Sequence, residues 1–175
     1  MFTELLYENN DFSGFKADFY KLHKVKFIKC SFRSADFSDV LLDNCYFDAC
    51  DFTGSRLNGS IIKSCAFVNC IFRYANFLNT ALDDCKMTGS SFPNATFKAF
   101  TITAGNWSYT VFTRLILHSR KSLKDNIVYL TRSCCFTDHY LPVVDVQALY
   151  QTTVDVCCEL RVHRIPPVFM SGQYP

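Results

Sequence analysis

The chain has 175 residues, with 18 Lys+Arg against 16 Asp+Glu, a formal net charge of +2. That balance excludes a polybasic nucleic-acid binder and a strongly acidic polyanion mimic as default classes. With 49% hydrophobic and 19% charged residues the chain is not disordered, and no apolar run reaches the roughly 18 residues of a membrane span. In chain order, residues 1–24 come first. Their opening, Met1 to Glu8, has an early acid and no basic region, so no secretory signal is expected. The segment is read as an N-terminal cap with irregular first repeats. Ala17 falls where later repeats place a large residue, and Phe15 where they place a small one.

Residues 25–118 follow a five-residue period. Every fifth residue from Phe27 to Leu117 is large and apolar, nineteen positions of which eleven are Phe. At this composition, chance gives such a run on the order of once in a million per register. A second track lies two residues earlier and is small or β-branched at seventeen of its nineteen positions, from Val25 through Gly105 to Leu115. None of the thirty-eight positions is charged. This pattern fits neither the 3.6-residue helix nor the two-residue strand period.

A chain that turns inward every five residues closes a square in twenty, and the sequence carries that longer period. Phe32, Phe52, Phe72, Phe92 and Phe112 form one column, read as a core ladder. Cys30, Cys50 and Cys70 form another on the small inward track, and Cys45, Cys65 and Cys85 a third. Residues of one column are expected to stack one coil apart. A buried Phe contributes on the order of 1.5–3 kcal/mol, enough for such columns to stabilise a narrow rod.

These repeats resemble the pentapeptide repeat family, whose unit is a small residue, Asp or Asn, a large apolar residue and two polar residues. Ala35-Asp36-Phe37-Ser38-Asp39, Cys50-Asp51-Phe52-Thr53-Gly54 and Ala75-Asn76-Phe77-Leu78-Asn79 follow it closely. The resemblance covers about residues 10–119. It implies an all-β solenoid, a right-handed quadrilateral β-helix of five to six coils, and a protein of bacterial type.

Residues 119–175 lose the pattern. A continued array would drive Arg120 and Asp125 into a dry interior, so the solenoid is expected to end near His118. The tail reads either as a capping or dimerising element or as a frame-shifted segment without a selected fold. Val143, Val146, Tyr150, Val154, Cys157 and Arg161 give a partly apolar stripe at helical spacing, while the Val and Thr content suits a strand.

The six repeat cysteines are read as small hydrophobes packed beside Phe, because their spacing does not suit zinc. Cys134, Cys135, Cys157 and Cys158 with His139 and His163 lack the two-residue gap of a zinc knuckle. No metal, cofactor or catalytic site is expected, and the protein is read as a non-enzyme. The outer faces remain. Those centred on the Phe27 and Phe32 columns carry Lys26, Lys29, Arg33, Arg73, Lys86 and Arg114 against Asp48 and Asp51. Those centred on Phe37 and Leu42 carry more acids than bases. On the Leu42 face, Leu41, Asp43, Ile61, Lys63, Asp83 and Asp84 form the candidate partner surface, an apolar row beside acids.

The function expected is a protein-binding scaffold that works through its outer faces. The partner is a protein, with no direct nucleic-acid binding, no membrane span and a terminus as the place for a homodimer contact. Location is expected in the cytoplasm, or in a host cell for a delivered effector, a role the resemblance implies. The family resemblance also implies an alternative, protection of DNA gyrase or topoisomerase by duplex-DNA imitation, as in quinolone-resistance members. Those rods are strongly negative and commonly carry projecting loops, whereas this array is near neutral and uninterrupted.

Overall fold

The computed structural model describes residues 5–17, 20–113, 116–117 and 135–137. Their regular elements are strands of two or three residues, and none of the described residues is helical. All strand pairings are parallel, and through residue 117 each joins a residue to the one twenty further on. The result is a β-solenoid of about five turns.

Each turn has four faces. The Phe27 face stacks Leu6–Glu8, Lys26–Ile28, Tyr46–Asp48, Ala66–Val68, Cys85–Lys86 and Gly105–Asn106. The Leu42 face stacks Lys21–His23, Leu41–Asp43, Ile61–Lys63, Ala81–Asp83 and Thr101–Ile102. On the Phe32 face, single bridges through Asp11, Ser31, Asp51 and Ile71 lead to Ser91–Pro93 and Val111–Thr113. On the Phe37 face, bridges through Lys16, Asp36, Arg56 and Asn76 lead to Thr96–Phe97 and Ile116–Leu117.

The interior is filled by the two inward tracks. Phe32, Phe52, Phe72 and Phe92 are fully buried and Phe112 is nearly so. Successive rings of this ladder lie 5.0, 4.9, 4.8 and 4.9 Å apart and within 16° of parallel. Neighbouring columns meet edge-on, as Phe67 does Phe72 at 5.5 Å and 65°. Each such pair adds about 0.5–1.5 kcal/mol beyond its burial. In the first coil Phe15 and Ala17 are both half-buried against the core, and the Phe15 ring lies 6.1 Å from Phe37. The exchange of large and small residues there is absorbed without a loss of register, since Lys16 still pairs with Asp36.

The corners follow from backbone sterics. With Ala104 the exception among the described corners of the array, φ turns positive two residues past the large residue, as at Lys29 (52°), Asp39 (60°), Asn44 (55°), Gly59 (67°) and Asn79 (54°). Its N–H then donates to a carbonyl of the next coil, Asn79 to Lys98 at 2.8 Å and Gly59 to Leu78 at 2.8 Å. Asn, Asp and Gly recur here because they tolerate the left-handed region best. Gly105 departs from the small inward track: it is exposed, has φ of 126°, and a Cβ there would run into the Cys85 backbone.

The cysteines mark one kind of corner. After the Phe32 face the small residue returns its N–H to the large residue three back, Ala35 to Phe32 at 3.0 Å and Ser55 to Phe52 at 3.0 Å. Cys45 and Cys70 instead send their N–H groups to the next coil's side chain, to Cys65 Sγ at 3.3 Å and Ser90 Oγ at 3.0 Å. The thiols donate in turn to carbonyls, Cys45 to Leu22, Cys70 to Phe47 and Cys85 to Ile62 at 3.5, 3.5 and 3.2 Å. The six repeat cysteines are therefore hydrogen-bonding members of the corner as well as space-fillers.

Beyond the array, Cys135–Thr137 pairs with Val111–Thr113, setting Phe136 opposite Phe112. The Phe32 face thus takes one strand from the segment after residue 118. The helical stripe read at 143–161, and Cys134, His139, Cys157, Cys158 and His163, lie outside the described residues.

Candidate partner-binding faces

On the Leu42 face two outward rows flank the buried row of Leu22, Leu42, Ile62, Leu82 and Ile102. The first row aligns Lys21, Leu41, Ile61, Ala81 and Thr101. Ile61 is 51% exposed, while Leu41 and Ala81 are half-buried. The second row aligns His23, Asp43, Lys63 and Asp83. Five of the six candidate residues therefore share one face. Asp84 is exposed at the following corner, with φ of 48°.

The acids on this face are not equivalent. Asp43 Oδ2 lies 3.1 Å from Lys21 Nζ and 2.9 Å from His23 Nδ1, and Oδ1 accepts a 2.7 Å bond from Asn44. The bond from Lys21, with help from Asn44 and His23, holds its carboxyl below the usual carboxylate range. Its charge is largely answered within the molecule. Asp83 accepts a bond from the Thr103 hydroxyl, and Lys63 is exposed with no ion pair among the described residues. The acids of this face and its following corner left without an ion pair among the described residues are Asp83 and Asp84. Lys21 and His23, partners of Asp43 one coil back, were legible in principle, because they stand twenty residues before Leu41 and Asp43.

The opposite side is also partly self-paired. Arg33 reaches Asp51 at 2.9 Å, and Lys26 Nζ stands 5.1 Å over the Tyr46 ring. On the Phe37 face Arg56 meets Asp36 at 2.8 Å. Arg73 and Lys86 are exposed and form no ion pair among the described residues. Sequence reasoning did not single out Ile71, Tyr74 or Tyr109, which are 43%, 59% and 77% exposed. The signal available was that both tyrosines fall in the phase otherwise rich in Gly, Asn and Asp.

The thiols are not equivalent: hydrogen bonds with the Cys65 and Cys70 thiols hold Cys45 and Cys50 below the ordinary thiol value. Cys30, Cys45, Cys50, Cys65, Cys70 and Cys85 are all buried and free. Burial pushes the Cys70 thiol well up and the Cys85 thiol up to about 12, so both stay protonated at neutral pH. Among the described residues no three His, Cys, Asp or Glu side chains gather as metal ligands, and no helix is long and apolar enough to cross a membrane.

Strands stacked at a twenty-residue offset, with one large and one small inward residue per five, define a four-sided repeat solenoid. A pentapeptide repeat region model matches residues 20–84. Residues 20–84 are thus a pentapeptide repeat region, and the fold is that of a β-solenoid. Among solved structures it is similar to a pentapeptide repeat protein from the Arabidopsis thaliana thylakoid lumen. The two are 16% identical over 82% of this chain and 90% of that one, with a TM-score of 0.54. It is also similar to HetL of the cyanobacterium Nostoc sp., a pentapeptide repeat protein involved in heterocyst differentiation regulation. Identity there is 14% over 63% of this chain, which spans 57% of HetL, with a TM-score of 0.42. Trypsin-treated QnrB1, a plasmid-mediated fluoroquinolone resistance protein, matches at 21% identity over 63% of this chain and 73% of that one, with a TM-score of 0.27. Comparison with curated proteins gives no match. At these identities the likenesses speak to the fold alone.

Proposed function

We propose that this protein is a non-enzymatic scaffold that binds a protein partner across the Leu42 face. The observation that carries the reading is the filled interior. The inward rows from Phe27 to Phe112 are buried side chains in mutual contact, so recognition falls to the outward rows. Of these, the row holding Leu41, Ile61 and Ala81 presents contiguous apolar surface beside Asp83 and Asp84, suited to a partner with an apolar anchor and basic flanks. Imitation of duplex DNA is less well supported, because Arg73 and Lys86 leave unpaired positive charge on the other side.

The test is affinity capture from bacterial and host-cell lysates, scored against Leu41→Lys with Ile61→Lys. Both side chains point outward, so the double variant should keep the wild-type circular dichroism and lose at least tenfold in capture of the same protein, about 1.4 kcal/mol. Equal capture by the double variant would place the contact elsewhere. A supercoiling assay with gyrase and a quinolone separates the topoisomerase reading, which requires supercoiling to recover when the protein is added.

A further inference from the structure

We propose a second docking surface on the Phe32 side, centred on Ile71, Arg73 and Tyr74 with Tyr109 further along the rod, that takes an acidic protein segment carrying aromatic side chains. It is independent of the Leu42 face, which lies across the rod.

Three observations meet there. First, apolar surface is exposed where folding does not use it. Ile71 bridges Asp51 and Ser91 through its backbone, yet its side chain is 43% exposed. Tyr74 and Tyr109 are 59% and 77% exposed.

Second, both tyrosines sit at corners in the left-handed region, with φ of 56° and 59°. Stacked on Tyr74 in the same corner are Ser34, Gly54 and Asn94, also at positive φ and small enough for it. A bulky ring is disfavoured in that conformation. The corner conformation itself recurs along the rod, so what sets these two positions apart is a large, exposed ring where other corners carry mostly small or polar residues.

Third, a positive charge is available. Arg33 is neutralised by Asp51 at 2.9 Å, whereas Arg73, between Ile71 and Tyr74, has no carboxylate within ion-pair distance among the described residues. Guanidinium beside aromatic and aliphatic surface matches acidic chains with aromatic side chains. Arg pairs with carboxylate in a planar fork and also stacks on rings. Single-stranded nucleic acid shares the negative charge, but Ile71 offers a base no hydrogen bond and the surface lacks a continuous basic track.

The experiment uses the full chain and three fluorescein-labelled probes at 50 and 300 mM NaCl. These are a 4:1 glutamate–tyrosine copolymer, polyglutamate of equal length, and a twenty-nucleotide oligothymidine. Fluorescence anisotropy should show the copolymer bound at least tenfold more tightly than polyglutamate or oligothymidine, and more weakly at the higher salt. Tyr74→Asn should fold at least as well as wild type, since Asn suits the corner, and should weaken copolymer binding tenfold, as should Arg73→Ser. Leu41→Lys with Ile61→Lys should leave copolymer binding unchanged, which separates this surface from the Leu42 face. Tightest binding to oligothymidine would overturn the proposal in favour of nucleic acid. So would no copolymer binding, or binding indifferent to Tyr74→Asn and Arg73→Ser.

Discussion

Replacing Cys65 distinguishes two accounts of the thiol columns by the sign of a difference. Cys65 Sγ accepts the Cys45 N–H at 3.3 Å and donates to the Lys63 carbonyl at 3.3 Å, and it is 1% exposed. Cys65→Ala leaves a buried N–H without its acceptor, a loss of about 1–3 kcal/mol. Cys65→Ser restores both roles in a shorter side chain, as Ser90 does naturally for Cys70 at 3.0 Å while donating to Phe67 at 2.9 Å. The serine variant should therefore be more stable than the alanine variant by about 1 kcal/mol. Were the thiol only an apolar filler, the order would reverse, because a hydroxyl would have been buried without need. Equilibrium urea unfolding followed by far-ultraviolet circular dichroism reads the order directly. An alanine variant as stable as the serine variant, or more so, refutes the hydrogen-bond account.

Phe72→Ala should destabilise by about 3–5 kcal/mol in the same assay, since it opens a cavity between the Phe52 and Phe92 rings. Gly105→Ala should cost well over about 1 kcal/mol, because its Cβ meets immovable Cys85 backbone; Gly59→Ala meets only the mobile Asp39 side chain and should cost about 1 kcal/mol. The Ser38 hydroxyl, then the Ser38 N–H and Arg56, hold the Asp36 carboxyl below its ordinary value. A depressed folded pKa gives stability that is present above the unfolded value of about 3.9 and lost as pH falls through the folded one. Urea midpoints should thus drop below about pH 4, and Asp36→Asn should flatten that drop.

The inward rows were legible because burial is a property of each residue taken singly, and an uninterrupted five-residue phase exposes it. The twenty-residue columns were legible for the same reason, down to Phe72 lying between Phe52 and Phe92. The grouping of Leu41, Asp43, Ile61, Lys63 and Asp83 on one face followed from phase alone. Their electrostatics did not, since neutralisation of Asp43 depends on where the long Lys21 and His23 side chains settle. Nor did the two kinds of corner follow from the repeat. Cys and Ala both read as small, and only the direction of the backbone N–H separates Cys45 from Ala35. The pairing of Phe136 with Phe112 escaped notice because its offset is not a multiple of five.

The twenty-residue offset makes the rod a ruler with a removable division. Excising residues 51–70 would join Cys50 to Ile71, positions already equivalent to Cys50 and Asp51 in the repeat. The remaining coils could close ranks without a change of phase, at an inter-strand step of about 4.8 Å. The same excision would bring Arg73 onto Arg33 and Ala81 onto Leu41, removing Ile61 from its row. Length and surface pattern are thereby separable in this protein: whole coils can be lost or duplicated while every survivor keeps its address, and only the distance between addresses changes.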